Sequence, residues 1–141
     1  MPNKAITLTL DDARSLIAAG ARKAQDIGVG YNLAVVDAGG NLLAFERMDG
    51  AWLGSIDIAI HKAFTARAFD MPTGDLAQKA QSGQPLFGIH ATNHERIVIF
   101  GGGVPVQSDG EIIGGFGASG GTVEQDEQVA QAALAGLWET V

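Results

Sequence analysis

Nine of the twenty glycines in this chain fall between Gly101 and Gly121, and a segment so poor in Cβ atoms fits few structures. Twenty in 141 residues is about twice ordinary usage. A disordered linker would lack large apolar residues, whereas Val104, Ile112, Ile113 and Phe116 stand inside this stretch. The segment is therefore expected to be ordered, its glycines serving tight turns, close approach of helix to sheet, or close approach of backbone to a ligand.

The elements around it follow from pattern. Leu10 to Ile27 places Ala13, Leu16, Ile17, Ala21 and Ala24 at helical spacing, with Thr9 as N-cap, Asp11 and Asp12 in the first turn, and Gly28 as the stop. Tyr31 to Val36 and Leu42 to Phe45 flank Asp37-Ala-Gly-Gly-Asn41 and read as a β-hairpin. Gly54 to Phe69 is an Ala-rich helix that stops before Pro72, and Thr73 caps a shorter helix through Gln81. Ser82 to Asn93 reads as a loop. Arg96 to Phe100 and Glu111 to Gly117 are strand-like, with a turn at Ser108-Asp-Gly-Glu and an edge interrupted at Gly103-Val-Pro. Thr122 and Gln125 form a capping box for a last helix with Val129, Ala132, Ala133, Gly136 and Leu137 as its apolar stripe. The order α-β-β-α-α-β-β-α predicts an α+β domain with helices against an antiparallel sheet, one domain over residues 1–141. A chain of this size buries roughly 68 to 70% of its unfolded surface, enough for a core without staples.

Composition removes several function classes. With no cysteine there is no disulfide framework, iron-sulfur cluster, Cys-ligated zinc or covalently attached c-type haem. A net charge of -7 and no Lys/Arg cluster argue against nucleic acid as a partner. No stretch of eighteen residues is free of charge and the start is not an apolar signal core, so no membrane span is expected and the chain reads as cytoplasmic. The charge is also lopsided. After Val106 there are six acids and no base, so every cation lies between Lys4 and Arg96.

The chemistry-bearing candidates are few. Gly101, Gly102 and Gly103, and the run Gly117-Ala-Ser-Gly-Gly-Thr122 leading into a helix N-terminus, can offer amides to an anion; turns and helix-to-sheet contact are the plain alternative. No Walker lysine or G-x-G-x-x-G accompanies them, which favours a small carboxylate or phosphate over a nucleotide. Gly117 to Gly121 matches G-x-S-x-G, yet no histidine follows Ser119, leaving only the order Asp37, His61, Ser119 for a triad. Lys62 shares a helical stripe with Ile58, Thr65 and Phe69 and would serve as an anion hook or as a stem covering apolar surface. Arg47 and Arg67 offer a carboxylate grip or a surface ion pair. His90 and His94 have a spacing that chelates metal only in a helix, which this segment is not, so no metal site is expected.

Four strings, Val35 to Ala51, Lys62 to Ala66 (KAFTA), Phe100 to Val106 (FGGGVPV) and Ile113 to Gly121 (IGGFGASGG), together resemble the GlcG/HbpS family, which includes the C-terminal domain of the PduO corrinoid adenosyltransferases. The resemblance spans nearly the whole chain in order. It implies a profilin-like α/β/α sandwich around a five-stranded antiparallel sheet, and a homo-oligomer, dimer or higher and up to an octamer. It also implies haem as cofactor, since some relatives bind haem, while others are encoded beside catabolic enzymes. His61, adjacent to Lys62, is the histidine inside a matching region. The expected function is binding of haem or a related anionic ligand in a glycine-loop pocket near a subunit boundary, lined by Arg47, Lys62, Thr65, Gly101, Gly102, Gly103, Ser119, Gly120 and Gly121. The alternatives are an enzyme acting on a small carboxylate, with Lys62 or His61 as acid/base and glycine amides as an oxyanion site, or an accessory oligomer whose glycines only shape contacts.

Overall fold

In a computed structural model describing residues 2–139, helix α1 (Leu10–Ile27) is followed by strands β1 (Asn32–Asp37) and β2 (Leu42–Arg47), then helices α2 (Gly54–Phe69) and α3 (Thr73–Ala80). Strands β3 (Gly103–Ser108) and β4 (Glu111–Ser119) and helix α4 (Val123–Glu139) complete the order. The strands form one antiparallel sheet in the order β2-β1-β4-β3, and three layers result. On one face, Leu33, Val35, Val104, Val106, Phe116 and Ala118 pack with α1 and α4; on the other, Ala34 and Val36 meet Ala59 and Ala63 of α2.

Local chemistry explains the boundaries. At α1, Thr9 accepts from the Asp12 amide and Asp12 accepts from the Thr9 amide, a reciprocal capping box, and Gly28 closes the helix at φ 82°. The β1–β2 turn needs the left-handed Gly40 at φ 79° and is tied by the Asp37 carboxylate to the amides of Gly39 and Asn41. Thr122 and Gln125 cap α4 reciprocally, as their spacing predicts.

The glycines of β4 make the fold possible. A Cβ at Gly117 would lie 2.1 Å from the Ala59 carbonyl oxygen, and one at Gly115 would lie 2.3 Å from that of Ala63. At these two positions helix α2 therefore rests directly on the backbone of β4, alanine against glycine. On the opposite face, a Cβ at Gly136 would stand 2.2 Å from the Ala19 Cβ, so α1 and α4 also cross at a bare point.

Three expectations are corrected. Among the described residues the sheet has four strands, not five; the fifth was implied by resemblance, and the element order read from the residues already contained four. The third strand starts at Gly103 rather than spanning Arg96 to Phe100. The segment 96–100 stays out of the ladder because α2 claims its backbone: the Thr65 hydroxyl donates to the Arg96 carbonyl at 3.2 Å and accepts from the Val98 amide at 3.0 Å. Pro105 is tolerated in β3 because that strand is at the sheet edge. Thr73 also does not cap α3; its hydroxyl accepts from the Gly103 amide at 2.9 Å and fixes where β3 begins.

Gly117→Ala should cost about 3 kcal/mol or more, since α2 must lift off β4. Gly54→Ala, where a Cβ meets open space, should shift stability by no more than about 1 kcal/mol and in the stabilising direction. Urea denaturation midpoints of the two variants check this; equal midpoints would disprove the contact.

Candidate functional site

Lys62 points from α2 into the interior, and its ammonium has no exposed surface. It donates to Asp126 Oδ2 at 2.7 Å and to the Ala118 carbonyl at 2.9 Å, and the Phe100 ring lies over it with its centroid 5.0 Å away. Gly102, at φ 123°, has a backbone that passes so close that a Cβ there would lie 2.6 Å from Nζ. The second oxygen of Asp126 accepts from the Gly121 amide at 3.0 Å. Both glycine loops thus meet at one buried ion pair, and the second is tied to it through the Gly121 amide. Burial pulls the Lys62 pKa below the usual lysine value, while the Asp126 carboxylate pushes it back up.

Tyr31 sits on the α1/α4 side of the same centre. Its hydroxyl is buried beside Asp126, and burial followed by that carboxylate pushes the phenol pKa well above its ordinary value. A Cβ at Gly121 would lie 2.7 Å from that hydroxyl, so the glycine is required for the approach.

The expected site residues separate into three groups. Lys62, Gly101, Gly102, Gly103 and Gly121 surround the ion pair, and Glu127 leans over Gly101, where a Cβ would meet its carboxylate carbon at 2.7 Å. Arg47 and Ser119 flank Asn32 in one row across the sheet, Arg47 on β2 and Ser119 on β4, with Gly120 just beyond. There the exposed Arg47 donates to the Ala51 carbonyl at 3.2 Å, and Asn32 donates to that of Trp52 at 2.9 Å while its own buried Oδ1 has no partner among the described residues. Thr65 stands apart with Arg96 and Val98. Within one chain, then, Lys62 is not a free cation facing an open anion pocket; Asp126 occupies that role.

The histidines are separate again. His61 Nδ1 is 3.1 Å from Asp57 one turn earlier, on the surface of α2, and is remote from a Ser119 triad in its hydrogen bonding. His90 and His94 are exposed on the segment between α3 and β3, His90 lying edge-on to Phe87 at a centroid distance of 6.0 Å. Among the described residues, no group of three or more metal-ligating side chains exists. No helix is long and apolar enough to cross a membrane among the residues described.

Asp126, Tyr31 and Phe100 escape a reading of the sequence, because Asp126 looks like one more acid in the first turns of α4. The available signal is the lopsided charge: the acidic last third has no base of its own, so any buried acid in it must pair with a cation from far up the chain.

A family model described as haem degrading protein HbpS-like matches residues 8–135. A 15.0 kDa protein in the dhaT-dhaS intergenic region of Citrobacter freundii is 46% identical over 128 residues, covering 91% of this chain and 90% of its own. Among solved structures, Klebsiella pneumoniae protein ORFY superposes with a TM-score of 0.95 at 43% identity, covering 97% of this chain and 94% of that one. The PduOC–haem complex superposes with a TM-score of 0.89 at 38% identity, covering 93% and 95%.

Lys62→Met should destabilise by about 3–5 kcal/mol by leaving Asp126 charged and buried, whereas Lys62→Met with Asp126→Asn, which keeps an acceptor for Gly121, should recover much of that. Denaturant unfolding of the single and double variants checks it, and a double variant as weak as the single would refute the pairing. The Tyr31 phenol, with its folded pKa above 10.0, contributes stability that is complete below pH 10 and is lost as pH rises further. Tyr31→Phe should therefore flatten the fall in stability above pH 10. Lys62, its pKa lowered, acts in the opposite sense below 10.5, so the comparison with Tyr31→Phe isolates the phenol.

Proposed function

The chain belongs to the HbpS-like family, and on that premise we propose that it is a small-molecule-binding protein whose ligand is haem or a related anionic compound. The observation that carries the reading is the haem complex of PduOC, a domain whose fold this chain shares over almost its whole length.

The donor set of this chain fits such a ligand. It supplies three imidazoles able to offer a nitrogen lone pair to iron, His61, His90 and His94, the last two exposed. Exposed aromatic and aliphatic side chains, among them Trp52, Phe87 and Phe100, supply apolar surface for a flat ring system. A bound haem supplies an iron able to exchange ligands or electrons; the chain's own groups bind and orient it.

In this reading the glycine loops and the Lys62–Asp126 pair hold the scaffold in shape, and the ligand is taken up outside that closed centre. Arg47, exposed at the end of β2, is the member of the expected set still accessible to a carboxylate from solvent or from beyond a subunit boundary. Lys62 as acid/base is disfavoured by its geometry, since both acceptors are internal and no substrate atom reaches a side chain with no exposed surface.

Haemin added to the purified protein should give a saturable Soret shift and raise the melting temperature by mass action, about 2.7 kcal/mol of added stability at a hundredfold excess over the dissociation constant. A spectrum identical to free haemin together with an unchanged melting temperature would remove haem as the ligand.

A further inference from the structure

The segment between α3 and β3 is ordered without being buried. From Gln81 to Glu95 no residue is buried, a length at which a loop lacking strands or long helices is usually functional. Its order comes from its own backbone, through a series of tight turns. The Gln84 amide donates to the Gln81 carbonyl at 2.9 Å, Phe87 to Gln84 at 3.1 Å, and Ile89 to Leu86 at 3.0 Å. It is tied back to α3 by the Leu86 amide, which donates to the Lys79 carbonyl at 2.9 Å, and by the Gln81 side-chain amide, which donates to the Ala77 carbonyl at 2.8 Å.

The far end is clamped as well. Asn93, His94 and Glu95 are consecutive non-glycine residues at φ 54°, 58° and 61°. Each such residue costs about 1–2 kcal/mol and persists only where its surroundings impose it. Here Arg96 imposes it, donating from Nε to the Asn93 carbonyl at 2.9 Å while its guanidinium lies 4.0 Å from the Phe64 ring centroid on α2.

These turns set the backbone of Leu86 beside that of the exposed Lys79 at the end of α3 and bring the Phe87 ring against His90. Phe87 is 62% exposed and Leu86 39%, and the Phe87 ring meets the His90 imidazole. Two apolar side chains are held outward by a backbone that spends its hydrogen bonds keeping them there. The patch combines a nitrogen ligand for a metal, apolar area for a planar macrocycle, and an ammonium for a carboxylate. That set is complementary to haem: iron, porphyrin face and propionate.

Resting on the haem reading above, we propose that His90 is the iron ligand of this chain, with Phe87 and Leu86 packing on the porphyrin and Lys79 pairing with a propionate. His94 is the internal control, since it lies on the same segment, is also exposed, and makes no aromatic ring contact among the described residues.

The test titrates the full chain with haemin and, separately, with metal-free protoporphyrin IX, reading the Soret band and affinity. His90→Ala should weaken haemin binding at least tenfold and abolish the histidine-type shift, yet leave metal-free porphyrin binding at the wild-type value. Phe87→Ser should weaken both ligands, and His94→Ala and His61→Ala neither. All four positions lie at the surface, so the variants are expected to fold, which melting temperatures establish. A His90→Ala protein with wild-type spectrum and affinity would overturn the assignment while leaving haem as ligand. Equal loss of both porphyrins in His90→Ala would overturn ligation, and a wild type that leaves free haemin unchanged would sink both readings. Light scattering on Phe87→Ser adds one arm: a change in assembly mass would make the patch a subunit contact and refute the ligand site.

Discussion

The buried pair between Lys62 and Asp126 ties together the two layers that sandwich the sheet. Lys62 comes from α2 on one face and Asp126 from α4 on the other, 64 residues apart in the chain. Its net contribution to stability is small, because desolvating two charges offsets most of their attraction, but leaving either one alone is expensive. The pair therefore acts as a constraint on arrangement more than as a source of energy. Any register of α2 that failed to bring Lys62 to Asp126 would strand a charge in the core.

That constraint accounts for the glycines. Lys62 reaches its partner past the backbone of Gly102, and the α2 backbone beside it runs against Gly103, Gly115 and Gly117. Side chains at these positions would lift the helix and withdraw the ammonium from its acceptors. Asp126 then spends its other oxygen on the Gly121 amide, so the loop after β4 is set by the same carboxylate. A motif that looks like an anion cradle is one, and its anion is a side chain of the chain itself.

Much of this was legible in residues with local signals. Thr9 and Asp12, Gly28, Thr122 and Gln125 act within one turn of their own positions, and their elements begin or end where those side chains dictate. The limits of α2 follow from the absence of Gly and Pro between Gly54 and Phe69. What was not legible depends on partners distant in sequence. Arg96 to Phe100 has the composition of a strand, yet the Thr65 hydroxyl, 31 residues earlier than Arg96, engages its backbone in place of a neighbouring strand. Lys62 read from its helix alone is an accessible cation; its burial is decided by Asp126, Ala118 and Phe100, none of which lies on that helix. Glycine composition carries the same ambiguity, since close approach to a helix and close approach to a ligand call for the same missing Cβ.

A scaffold locked in this way has consequences for where binding can occur. Where α2 crosses the glycines of β4 there is no side-chain layer to rearrange, and the centre is sealed by an ion pair whose opening exposes two charges at once. Adaptability must then come from outside the sandwich. The segment from Gln81 to Glu95 has no buried side chain to lose, so a ligand can engage it without disturbing the core. Its left-handed turn at Asn93 to Glu95, held by Arg96 against Phe64, limits the conformational entropy that ligand binding would otherwise have to overcome. Rigidity in the sandwich and preorganisation in the loop are thus two parts of one arrangement: α2 carries both Lys62, which seals the interior, and Phe64, on which the exterior loop is anchored.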